Sequence, residues 1–156
     1  MKRMMTVVIG FVCVFVMLSA WAKPPKMCAY LYLVSGTNGK IKQISERSYQ
    51  LTMTMPTTNQ VTVFSDRPYR IIKSISGLEL EKTWGQAPNT RLAANPLNIV
   101  VEIADRDTKV VTLTDLQING RQAIYTFTST SLPSSWKKSN NFLVHITIDD
   151  SENRVC

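Results

Sequence analysis

Apolar residues recur at every second position through much of the chain, the period of strands with one face on a core. Tyr49, Leu51, Met53 and Met55 alternate with Gln50, Thr52 and Thr54. Phe142, Val144, Ile146 and Ile148 alternate with Leu143, His145 and Thr147. Residues 29–34, 40–44, 61–64, 97–103, 109–118 and 122–130 read as further strands, several rich in Val, Ile, Thr and aromatics. Turn formers punctuate them. Asn38-Gly39 and Asn119-Gly120 are hairpin signals, and Pro56 to Asn59, Asp105-Arg106-Asp107 and Pro133-Ser134-Ser135 read as turns and loops.

One stretch breaks the rhythm. Ser76 precedes Glu79 by three residues, the spacing of a capping box. Leu80 and Trp84 then share a face at i, i+4, and Gly85 follows as a stop. This predicts a short helix over Gly77 to Trp84, placed as a lid on one end of the sheet. Short strands without long intervening helices predict an all-β fold: one antiparallel β-sandwich, Ig-like or barrel-like, with one short helix. No internal repeat or second domain boundary is visible.

The N-terminus changes what the domain must contain. Lys2 and Arg3 precede an apolar run from Met4 to Leu18, and Ser19-Ala20-Trp21-Ala22 supplies small residues behind it. That is the layout of a signal peptide spanning residues 1–22. The run is fifteen residues long, short of the ~20 a spanning helix needs. The expected product is residues 23–156, exported to the periplasm or secreted, with no transmembrane segment after cleavage.

Cys13 leaves with the signal, so Cys28 and Cys156 remain. A surviving pair in an oxidising compartment predicts a structural disulfide joining the two ends of the domain. No Cys-x-x-Cys supports a redox role, and neither a metal site nor a cofactor is expected.

The formal charge is +7, and Lys2 and Arg3 carry two of it, leaving +5 on residues 23–156. A basic exported domain suits an anionic envelope component or another envelope protein as partner. The lysines are scattered and not interleaved with aromatics on one element, which argues against nucleic acid.

The most distinctive local string is Phe64-Ser65-Asp66-Arg67-Pro68-Tyr69-Arg70, at the end of a strand. Pro68 biases Arg67 toward an extended backbone, and Asp66 can fold back on nearby amides or pair with either arginine. Asp66, Arg67 and Arg70 therefore form an anion-binding candidate, since guanidinium groups grip carboxylates and phosphates bidentately. The same residues also suit a purely architectural corner.

At this string the chain resembles an uncharacterised family of small exported bacterial β-rich proteins carrying a Phe-Ser-Asp-Arg-Pro-x-Arg segment. In that family a short helix ending in Trp follows, matched here by Trp84, and then a Pro-Asn-Ala step. Asn95-Pro96-Leu97-Asn98-Ile99 departs from that step. The resemblance covers roughly residues 61–101 and implies export and a β-rich domain, but no activity.

Other chemistry is sparse. His145 is the lone histidine, on the solvent side of its strand, with no nucleophile motif nearby in sequence. Met53 and Met55 lie on an apolar stripe that favours core packing over a soft metal site. Residues 149–153 are acidic but lack the glycine of a calcium loop, and read as a solvated turn. Tyr30, Tyr32, Trp84 and Trp136 are candidates either for sugar stacking or for the core. The expected function is a non-enzymatic binding or envelope-structural domain. The alternative is a hydrolase or metal-binding protein whose site assembles only in the fold.

Overall fold

Strand β1 (Met27–Gln43) runs unbroken through Asn38-Gly39, where the dipeptide predicts a hairpin. The computed structural model describes residues 27–65, 70–85, 92, 96–103, 107–137 and 141–155. The predicted signal peptide and Cys156 lie outside them. Asn38 does take a left-handed backbone, with φ of 55°. It spends that conformation on a bulge: register shifts occur between Thr37 and Lys40 against one neighbour and between Gly36 and Gly39 against the other. A bulge bends a strand and sharpens its twist. Here the bend moves β1 from one partner to another along the same edge.

The remaining elements are β2 (Ser48–Thr54), β3 (Gln60–Phe64), β4 (Ile72–Ser76), helix α1 (Gly77–Trp84), β5 (Leu97–Ile103), β6 (Thr108–Asn119), β7 (Gln122–Thr128), the single turn α2 (Ser134–Lys137) and β8 (Phe142–Val155). All strand pairings are antiparallel. The sheet order is β2-β7-β6-β5-β8-β1-β3-β4, and β2 also pairs with β1. That extra pairing closes six strands into a barrel. The first half of β1 pairs with β3 through Leu31 to Leu33, the second half with β2 through Thr37 to Gln43. The β3–β4 hairpin thus projects from the barrel as a wing. The all-β, barrel-like expectation holds.

Alternating residues fill the interior. Val34, Leu51, Met53, Ile99, Val101, Leu113, Leu116, Tyr125, Phe127, Val144 and Ile146 all belong to one buried cluster. Met53 and Met55 are core residues, as their stripe predicts. Leu113 and Leu116 both face inward only because β6 carries a bulge between Leu113 and Asp115, which restores the inward phase.

Helix α1 forms where the capping box predicts it. Glu79 N–H donates to Ser76 Oγ, and the Glu79 carboxylate accepts from Ser76 N–H at 2.8 Å. Leu80 and Trp84 turn inward, and Trp84 meets Tyr32 edge to face at 5.9 Å. The helix also finishes an edge of β6. β5 pairs with β6 only up to Leu113, so Ile118 N–H lacks a strand on that side and donates instead to the Glu81 carboxylate at 2.8 Å.

Three further elements differ from the sequence expectation. β4 has no alternating pattern, because it is an outer strand whose residues are mostly exposed. The 149–153 segment is not a turn: β8 continues through it, and Asp150 is buried. The Pro133-Ser134-Ser135 loop contains the turn α2, which inserts Trp136 into the core.

Tyr125 carries a testable consequence of this interior. Its hydroxyl is buried with no hydrogen-bond partner among the described residues. Burial alone pushes the phenol well above its ordinary range. In the unfolded chain the phenol ionises near ~10. Its folded value is higher, so its contribution is intact below pH ~10 and is lost as pH rises beyond that. Tyr125→Phe should be neutral or stabilise by up to ~1 kcal/mol at pH 7, and should lessen the alkaline loss. Urea titrations at pH 7 and at strongly alkaline pH check both points.

Candidate functional site

The β1–β2 connection is short and braced. Ile44 N–H and Ser45 N–H both donate to Ser48 O, and Gln43 Nε2 donates to Ser45 O and Glu46 O. Its last residue, Arg47, has its carbonyl tied to Ser129 N–H at 3.0 Å, at the end of β7. This fixes the Arg47 backbone against the sheet and leaves the side chain exposed. The guanidinium meets no partner among the described residues.

The groove beside Arg47 exists because β7 stops. The β6–β7 ladder ends at Thr112 with Thr128, whereas the β5–β6 ladder continues down to Thr108. One edge of β6 from Lys109 to Val111 therefore borders open space. The chain leaving β7 is held across it: Lys109 Nζ donates to Ser131 O, and Ser129 Oγ donates to Ser131 O at 2.9 Å. The resulting groove of about 360 Å³ is lined by Arg47, Asn98, Lys109 to Thr112 and Thr128 to Thr130. Among the described residues it contains two cations and five neutral polar side chains, and no carboxylate.

A second cavity of about 300 Å³ lies between β4 and α1, lined by Tyr32, Lys73, Ile75, Glu79, Lys82 and Thr83. Its charges have structural work. The Ser76 hydrogen bonds, backbone first, hold the Glu79 carboxyl below its usual range. Lys73 Nζ sits 5.8 Å from the Tyr30 ring centroid. The groove at Arg47 is the better binding site because no described carboxylate compensates its two cations.

Asp66 and Arg67 of the predicted corner lie outside the described residues. Arg70 stands exposed with φ of 47°, and Ser65 N–H donates to Ile71 O at 2.8 Å, closing the loop between β3 and β4. Arg70 is thus on the wing, whose strands pair with the barrel only at β1, and it does not line the groove. The disulfide pair is described only in part. Cys28 sits in β1 opposite Arg154 of β8, two residues before Cys156.

His145 gains a neighbour that the sequence does not reveal. Its Nδ1 lies 2.9 Å from Ser35 Oγ, and the register places Ser35, His145 and Glu102 side by side on β1, β8 and β5. The line crosses an outward sheet face, and none of the three lines either cavity described above. Acyl transfer needs a site beside the nucleophile with oxyanion donors. Among the described residues no group of three or more His, Cys, Asp or Glu side chains is placed to hold a metal. No described helix is long and apolar enough to cross a membrane. Tyr32, Trp84 and Trp136 are buried, which removes them as sugar-stacking faces.

Arg47, Asn98, Lys109, Thr112 and Thr128 carry no motif. Their one sequence signal is the scattered positive charge, which does not say which cations meet. Comparison with known proteins finds no matching family model, no matching curated protein and no matching solved structure.

Proposed function

We propose that this chain is an exported, non-enzymatic binding domain whose ligand is an anionic component of the cell envelope. The observation that supports it is the groove at Arg47 and Lys109, where two cations line a polar cleft with no carboxylate among its described residues. The +5 charge of residues 23–156 acts in the same direction, drawing polyanions toward the surface. Export rests on the signal-like residues 1–22. Membership of the exported β-rich family rests on the Phe64 to Arg70 run.

The test sets the groove against the corner suggested by sequence. Arg47→Glu and Arg70→Glu change net charge equally at two exposed sites. Equilibrium binding to polyphosphate and polygalacturonate at low salt should fall about tenfold for Arg47→Glu, the loss of a charge-assisted contact. Arg70→Glu should change it by less than about twofold, the residue of a long-range charge effect. Equal losses would mean that net charge alone drives binding.

The domain is further proposed to be closed by a Cys28–Cys156 disulfide, since the β1–β8 ladder runs to Met27 opposite Val155. Mass spectrometry of the exported protein without reductant should show two fewer hydrogens than the dithiol. Two alkylatable thiols would remove the bridge.

A further inference from the structure

The groove carries a polar row that runs one strand beyond it. Asn98 faces Thr112 across β5–β6, Thr112 faces Thr128 across β6–β7, and Thr128 faces Ser48 across β7–β2. These four residues form one row across four neighbouring strands. Strands lie ~4.8 Å apart, so the row is roughly 14 Å long and offers a hydroxyl or amide at each step. Thr112 Oγ1 donates to Asn98 Oδ1 at 3.1 Å, so among the described residues Asn98 Nδ2 is left to donate outward and the Thr112 lone pairs to accept. Arg47 stands next to the last residue of the row, and Lys109 lies one step inside β6.

From this row we infer that the ligand is a linear acidic polysaccharide lying across the strands, an inference that rests on the anion-binding reading above. The chemistry of the lining selects it. A sugar chain presents hydroxyl donors and acceptors at a spacing close to one unit per strand, matching the Asn98–Thr112–Thr128–Ser48 row. Carboxylates or sulfates on that chain pair with Arg47 and with the Lys109 ammonium. The groove has no aromatic ring among its described lining residues, so uncharged sugars lack a stacking platform there and bind weakly. An acidic peptide would want apolar recesses for its side chains, and the groove offers only Val110 and Val111. A phosphate chain would use the cations and some of the row's donors, but it has no hydroxyls to donate to the row's acceptors.

The experiment uses residues 23–156 and three polyanions at matched charge concentration: polygalacturonate, polyglutamate and polyphosphate, with dextran as the neutral polymer. The expected result is polygalacturonate binding about tenfold tighter than the other two, and no measurable dextran binding. Asn98→Ala with Thr128→Val, both at exposed positions, removes two neutral hydrogen-bonding groups and should weaken polygalacturonate binding about tenfold. The same double variant should leave polyphosphate binding within about twofold, because the charged contacts stay. Thermal melts of the variant establish that it is folded. Equal affinity for all three polyanions, unaffected by the double variant, overturns the polysaccharide inference and leaves a general anion site. Tighter binding of polyglutamate overturns it in favour of an acidic peptide. Failure of all three polyanions to bind overturns the anion-binding reading itself.

Discussion

Trp136→Ala should be the most destabilising of the substitutions considered, by about 3–5 kcal/mol. Trp136 is 1% exposed and comes from a turn of only four residues. Its Nε1–H donates to Asp107 O at 3.1 Å, just before β6 begins. It therefore fills the core and ties the β7–β8 crossing to the start of β6. Alanine empties the largest fully buried side chain of the barrel and leaves the Asp107 carbonyl without this donor. For a domain of this size a loss of that order lowers the melting temperature by roughly 10 °C or more. Trp136→Phe keeps most of the volume and loses the hydrogen bond, so about half the effect or less is expected. Differential scanning calorimetry of both variants separates packing from hydrogen bonding.

Gly39→Ala should cost about 1–3 kcal/mol, although it adds only one methyl group. A Cβ at this position would lie 2.5 Å from two ring carbons of Phe142 and 2.6 Å from Val144 Cγ2. Both neighbours are buried, and neither is the free end of a flexible chain. Gly39 is also where β1 resumes its ladder with β8 after the bulge. Pushing Phe142 aside loosens the bend that lets β1 reach β2 and close the barrel. Equilibrium urea unfolding measures the cost, and a variant as stable as the parent would show that the bend tolerates the methyl group. At Gly120, where φ is 61° and no atom lies within 4 Å of a Cβ, substitution should be governed by backbone strain alone.

These two residues show what the chain reveals by itself. The period of two located most of the strands and their inward faces, because local alternation records burial directly. The Ser76–Glu79 capping box located α1 for a similarly local reason. Asn38-Gly39 was misleading because a left-handed residue followed by glycine suits a bulge as well as a hairpin. Only the partners of β1 decide between them. β4 escaped notice because an outer strand buries little and so alternates weakly. Trp136 stays open between a stacking face and the core in the sequence because a four-residue turn has no periodicity to read.

The candidate site was legible only as excess charge. Arg47 and Lys109 are 62 positions apart in the numbering, and Asn98, Thr112 and Thr128 become a row through the register of three ladders. The same holds for Ser35 and His145, 110 residues apart and 2.9 Å between their side-chain atoms. The Phe64 to Arg70 string stands out because its residues are contiguous, so it can be read without any knowledge of the fold. Of its three candidate residues the structure places Arg70, exposed on the wing.

Amide chemical-shift mapping by NMR tests the central claim most directly, with galacturonate oligomers added to isotopically labelled residues 23–156. The account predicts saturable shifts at Arg47, Asn98, Lys109 to Thr112 and Thr128 to Thr130, with Arg70, Ile72 to Ser76 and His145 unmoved. Shifts that cluster around Arg70 and β4, or no saturable shifts at the groove, would contradict it.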